Sequence, residues 1–330
     1  MPRRPPAAAR ARVNQVMAEH RDRLARLAER RGVGQLKKLY DAAQAEQFRK
    51  LRAIPGRGDT FTAFHQKFIA AQLREGQAIV SRQLADELST VTREAQVEGL
   101  TGLIDDVSTL ETYFTGSTPV LPIEEASRFW GIVDERGSLL RDPRNSSMRR
   151  YGETVVGSME DEIALSLAEG ETLQETIDRL EEVTDLEWWQ AERIARTECA
   201  MAYNYTQADG ITELAEDVDD LYLRWTEHVS DEGFPLDDRV GVDSIAMHGQ
   251  VIRPGGEFEV PPFAPDGTPV SRSLVGLRIE APPNRPNDRA CVSAWRPAWG
   301  GLAWLWQDGQ RVPVESREGD TSPDMPDEGY

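Results

Sequence analysis

Residues Arg193-Ile194-Ala195-Arg196-Thr197-Glu198-Cys199-Ala200-Met201-Ala202-Tyr203-Asn204 decide how the rest of the chain is read. The run is rich in alanine and arginine, which favour a helix. Its apolar positions, Ala191, Ile194, Ala195, Met201, Ala202 and Tyr205, fall along one helical face. Glu198 sits on that face, seven residues after Ala191 and seven before Tyr205. A carboxylate among apolar neighbours is costly unless it meets a cation or several donors. Glu198 is therefore either a catalytic acid or a polar tie between this helix and the segment after it. A lone glutamate lacks the second group that acid–base chemistry needs, which favours the tie, with Arg239 or Arg289 as its partner.

Working towards the N-terminus, Thr172 with Glu175 forms a capping-box pattern ahead of Leu173, Ile177 and Leu180, and Thr184 with Glu187 forms a second. These patterns predict two helices, the second over about 185–214, preceded by helices over about 123–136 and 147–169. The run Thr115-Gly116-Ser117-Thr118-Pro119-Val120-Leu121-Pro122 reads as a break. Before it, Asp59 or Thr60 caps a long helix with the stripe Phe64, Phe68, Ile69, Leu73, Val80, Leu84, Leu88, Val91 and Ala95. Gly76 and Gln77 interrupt that stripe, which predicts a crossing partner helix or a bend. Helices over 13–31 and 35–53, separated by Gly32 and Gly34, complete the N-terminal region.

Past Asp220 the period changes. Leu221, Leu223 and Trp225 alternate with Tyr222, Arg224 and Thr226, which predicts a half-buried strand. Shorter strand-like pieces follow at 250–253, 256–260 and 274–280 among Gly and Pro. The fold class expected is mainly α: a helical arm and a long amphipathic helix, then a helical domain with a small C-terminal β region. The matching division is a basic helical arm at 1–58, a long helical region at 59–117, a domain at 118–306 and an acidic flexible tail at 307–330.

Charge is distributed unevenly. Residues 1–60 hold fifteen Lys/Arg against six Asp/Glu, a net +9, which leaves −28 for residues 61–330 within the total of −19. Arg3, Arg4, Arg10, Arg12, Arg21, Arg23, Arg26, Arg30 and Arg31 could meet phosphate backbone or an acidic protein surface, or simply be solvated. Aromatic residues are nearly absent there, so base stacking is not offered. No stretch approaches the roughly 18 apolar residues of a membrane span, and the arginine-bearing N-terminus lacks the apolar core of a secretory signal. Cys199 and Cys291 are too few for a disulfide framework or for a zinc site built on sulfur, and neither has a histidine companion in the sequence. A Ser-centred nucleophile elbow and a phosphate-binding glycine loop are absent as well.

With these residues in place, the chain resembles the Mu F-like family of phage head morphogenesis proteins. The resemblance rests on an ordered set over about residues 150–297: Arg196-Thr197-Glu198 with Asn204, the Trp225 strand, Asp238-Arg239, His248-Gly249-Gln250-Val251, and Pro286-Asn287-Asp288-Arg289. The chain departs from the family at Ser244, where relatives place histidine or cysteine, and at Asp288 and Ala290, where they place cysteines. The resemblance implies a non-enzymatic minor capsid protein with no cofactor, recruited to the procapsid by the portal protein. Major capsid or scaffolding protein and phage DNA are further contacts it implies. Its expected place is the virion, inside the head near the portal, after assembly in the host cytoplasm.

The sharpest enzymatic rival is a metal-dependent hydrolase using His228, Asp231, Asp237, Asp238 and His248. Gly233, Pro235 and Gly241 make that stretch an unsuitable frame for ligands, and His248-Gly249 reads as a turn. His20 and His65 read as ordinary surface or interface residues. Trp295 is expected to close the core, and Trp304 and Trp306 to face a partner.

Overall fold

A computed structural model describes residues 7–55, 60–116, 131–133, 147–227, 240–285, 288–300 and 302–314. The protein is mainly α-helical with a small C-terminal β region. Helices α1 (Ala7–Ala25), α2 (Gly34–Arg52), α3 (Ala63–Thr115), α4 (Ser147–Glu169), α5 (Leu173–Leu214) and α6 (Val242–Met247) are joined by strands β1 (Tyr222–Thr226), β2 (Val251–Ile252), β3 (Phe258–Glu259), β4 (Arg278–Ile279), β5 (Cys291–Trp295), β6 (Trp304–Gln307) and β7 (Gln310–Pro313). No helix among the described residues is long and apolar enough to cross a membrane.

Two compact units form. One gathers Ala28–Thr92 and Gly137–Glu198, and is helical. Its core takes Leu36, Tyr40 and Phe48 from α2, Ile69 to Val91 from α3, Val155 and Met159 from α4, and Ile177 and Leu180 from α5. The Gly76 interruption marks a crossing: a Cβ there would lie 2.8 Å from Gln47 Cδ of α2, and Gln44 Nε2 donates to Gln77 Oε1 at 3.3 Å. Phe64 and Phe68 do not join the stripe and are 76% and 45% exposed. Phe64 precedes Ile69 by five residues, about 140° round the helix, so it points off the buried face.

The Thr172–Glu175 capping box forms, with Glu175 Oε2 accepting from the Thr172 N–H at 2.8 Å and Thr172 Oγ1 accepting from the Glu175 N–H at 3.2 Å. The second box does not. Thr184 Oγ1 donates to Leu180 O at 2.6 Å inside one unbroken helix, because a mid-helix threonine can satisfy its hydroxyl on its own preceding turn. The two expected N-terminal helices form, but the first ends at Ala25 and no turn at Gly32 and Gly34 divides them. Arg26–Val33 is a π-helical stretch linking α1 to α2, an insertion that widens the turn while the helical hydrogen bonding continues.

The other unit gathers Met1–Leu27, Arg93–Arg136 and Cys199–Tyr330. Its sheet runs β2-β1-β5, antiparallel throughout, with Trp225 opposite Val292. Every residue of β1 is buried, in contrast to the half-buried expectation. The strand is central, its Leu223 and Trp225 enter a core shared with Leu103, Ile211 and Phe258, and its other face lies beneath α1. Sequence reading missed β5 and the β6–β7 hairpin, which occupies some of the stretch expected to be tail. Residues 315–330 of that tail, and most of the helix expected at 123–136, lie outside the described residues.

Candidate functional site

Asn204 is fully buried on α5 and faces the outer edge of β5. Its Nδ2 donates to Ala290 O at 3.1 Å, and its Oδ1 accepts the Val292 N–H at 3.0 Å. The two ends of one amide thus satisfy a strand edge as a neighbouring strand would. Across the sheet, Gly249 adopts φ +81 and its N–H donates to Trp225 O at 2.9 Å. Its own carbonyl accepts the Trp304 N–H at 3.0 Å, and a Cβ there would lie 2.9 Å from Leu302 Cγ. Only glycine fits that conformation and that space without strain.

Ser244 of α6 and Asp288, two of the three positions at which this chain departs from the pattern it resembles, meet. Ser244 Oγ donates to Asp288 Oδ1 at 3.3 Å, and the Asn284 and Ala290 N–H groups donate to the same carboxylate. Burial pushes the Asp288 carboxyl up to about 6, against the pull of the Arg285 guanidinium. Asn284 Nδ2 donates to Asp243 Oδ2 at 2.6 Å, so α6 and the loop before β5 are stitched by two carboxylates. Within the helical unit, Glu198 accepts from Ser147 Oγ at 2.7 Å. Its polar tie is to the start of α4 instead of to Arg289, which is half-buried beyond Asp288. Thr197 Oγ1 donates to Arg193 O at 2.8 Å, and Arg196 donates to Glu192, both along the helix.

No family model, curated protein or solved structure matches the chain. Its chemistry is therefore read from the geometry, which also brings together a polar layer that sequence reading did not anticipate. The layer lies between α1 and the sheet. His20 is buried, with its Nδ1 3.2 Å from both Asp106 Oδ2 and Tyr203 Oη. The Cys291 thiol is its further neighbour. Burial opposes the imidazolium, but Cys291 and Asp106 outweigh it and hold the His20 pKa up at about 9. The histidine companion of Cys291 comes from 271 positions earlier in the chain, so no local motif could have announced it. Both side chains are closed to solvent, a setting for a structural thiol and not for an attacking one.

Arg23 donates to Asp106 and to Gly102 O, crossing α3 where a glycine leaves room. It is a core tie, which corrects the expectation for Arg23 as a DNA or partner contact. Arg12 donates to Gln15 Oε1 at 3.0 Å, and Arg26 and Arg31 are exposed. Arg3 and Arg4, with the side chains of Arg10 and Arg30, lie outside the described residues, as do His228, Asp238, Arg239 and Asn287.

His248 Nδ1 accepts the Glu227 N–H at 3.1 Å. Burial, followed by the Arg224 and Arg21 charges, drives its pKa down to about 3, so the ring is neutral with its proton on Nε2. Trp295 is buried, with Nε1 donating to Gly300 O at 2.7 Å. Trp304 is buried too, and its Nε1 donates to His248 O at 3.0 Å, so the expectation that it faces a partner gives way to a core role. Trp306 is half-buried and donates to Glu259 Oε1 at 3.1 Å.

Proposed function

We propose that this chain is a minor capsid or head morphogenesis protein of a tailed phage, recruited to the procapsid through the portal and affecting DNA packaging or delivery. It acts by positioning partners and carries out no chemistry of its own. One observation carries the reading: the described residues of the ordered motif set serve as interlocking structural ties. Asn204 clamps β5, Trp225 fills the core, and Gly249 turns the chain under Trp304. Residues selected for catalysis are instead expected to present unsatisfied groups to a cleft. Against the hydrolase alternative stands His248, whose Nδ1 is taken by a backbone N–H. DNA contact by the N-terminal segment would fall on its arginines other than Arg23, which turns inward; among the described ones Arg26 and Arg31 are exposed.

Major capsid or scaffolding protein, and phage DNA, are the further contacts of this reading. Quantitative mass spectrometry of purified particles tests it. The reading expects this chain in the particle at a small fraction of the major capsid copy number; its absence from both procapsid and mature particle would refute it.

A further inference from the structure

A cavity of about 720 Å³ opens within the sheet unit, where the C-terminal end of α5 meets β2, β3 and β6. That volume lies in the range of small-molecule sites, about 300–1,000 Å³. Ala208, Leu223, Ile252 and Leu305 give it an apolar lining, and Tyr205 and Trp306 add aromatic rings. Its charge is lopsided. Asp209, Glu257, Glu259 and Glu280 line it against Arg253 and Arg278. Both guanidinium groups are engaged: Arg278 Nε lies 3.7 Å from Glu259 Oε2, and Arg253 Cζ stands 5.6 Å over the Tyr222 ring. The lining therefore carries a surplus of negative charge, and a cleft of one sign concentrates ions of the other. A second observation comes from Gln250, which borders the same cavity and is 1% exposed. Its Nε2 donates to Glu259 O at 3.3 Å. A carbonyl can only accept, so that bond fixes which end of the amide is which. Gln250 Oε1 is left buried with no partner among the described residues. A buried acceptor in that state is destabilising until a donor reaches it.

We infer that this cavity binds an organic cation bearing N–H donors, an alkylguanidinium or alkylammonium group. The carboxylates supply the counter-charge, the apolar and aromatic lining takes up the alkyl portion, and one N–H satisfies Gln250 Oε1. An anion would meet the surplus carboxylates, and an uncharged apolar guest would leave the Gln250 acceptor unpaired. The same cationic group can arrive as a free small molecule or as the arginine side chain of a partner protein. This site does not depend on the head-protein reading and can fail separately from it.

The test is isothermal titration calorimetry of the full chain with butylguanidinium chloride at low, matched ionic strength. Tetramethylammonium, which has the charge but no N–H, and a short blocked peptide holding a single arginine form parallel arms. Butylguanidinium should saturate a single site at millimolar concentration, with tetramethylammonium weaker by about tenfold or more. Glu257→Gln combined with Glu280→Gln alters two exposed side chains, so the fold is kept and Kd should rise about tenfold. Gln250→Met removes the buried acceptor and should weaken butylguanidinium while leaving tetramethylammonium unchanged. If Gln250→Met fails to fold, the exposed pair still decides. Tighter binding of the peptide than of butylguanidinium would assign the site to an arginine of a partner protein, and the reverse order would assign it to a free cation. Absence of saturable binding, equal affinity for tetramethylammonium, or an unchanged Kd in the Glu257 and Glu280 variant would overturn the proposal.

Discussion

Replacing Asn204 by leucine, close to it in size, tests the idea that motif residues are structural ties. The substitution leaves two buried backbone groups of the β5 edge, Ala290 O and the Val292 N–H, without the partners they now have at 3.1 and 3.0 Å. Each orphaned buried group costs about 1–3 kcal/mol, and the two share one side chain, so the losses do not simply add. A loss of about 4 kcal/mol follows, large against the roughly 5–15 kcal/mol that holds a domain folded. Urea unfolding followed by tryptophan fluorescence reads it directly, since Trp225 and Trp295 both flank the affected strands. Asn204→Asp should be no milder, because a buried carboxylate would face the Ala290 carbonyl. A loss under about 1 kcal/mol for Asn204→Leu would refute the clamp.

Two further outcomes follow from the same unit. The pKa of His20, which faces Asp106, Tyr203 and Cys291, is raised in the folded state, so its stabilisation is complete below the ordinary value of 6.5 and fades as pH climbs through about 9; unfolding measured from pH 6 to 10 should show a loss of about 3 kcal/mol that His20→Gln flattens. Gly249→Ala should cost about 2 kcal/mol or more, from the positive φ and the Leu302 contact together, and a variant that melts with the parent would contradict that account.

Much of the frame was legible in the sequence because it was local. The capping box at Thr172, the stripe from Ile69 to Ala95 and the change of period at Leu221 each depend on residues a few positions apart. Where local logic failed, the competing term was tertiary. Thr184 looked like a helix start, but nothing near it breaks the helix. Cys291-Val292-Ser293-Ala294-Trp295 shows little alternation because every one of its side chains is buried, so β5 escaped notice. The polar layer was invisible for a different reason: His20 and Arg21 come from a helix that reads as an exposed basic arm, while Arg224, His248 and Cys291 come from segments more than 200 residues later. Trp304, expected at an interface, is drawn inward by the His248 carbonyl.

The role proposed for this protein is to hold a place beside a portal. Co-expression of the full chain with its cognate portal protein, followed by affinity capture of the portal ring and native mass spectrometry, tests it most directly. The account predicts a discrete complex with a fixed number of copies per ring. A portal ring recovered without this chain, in buffers where both are folded, would contradict it.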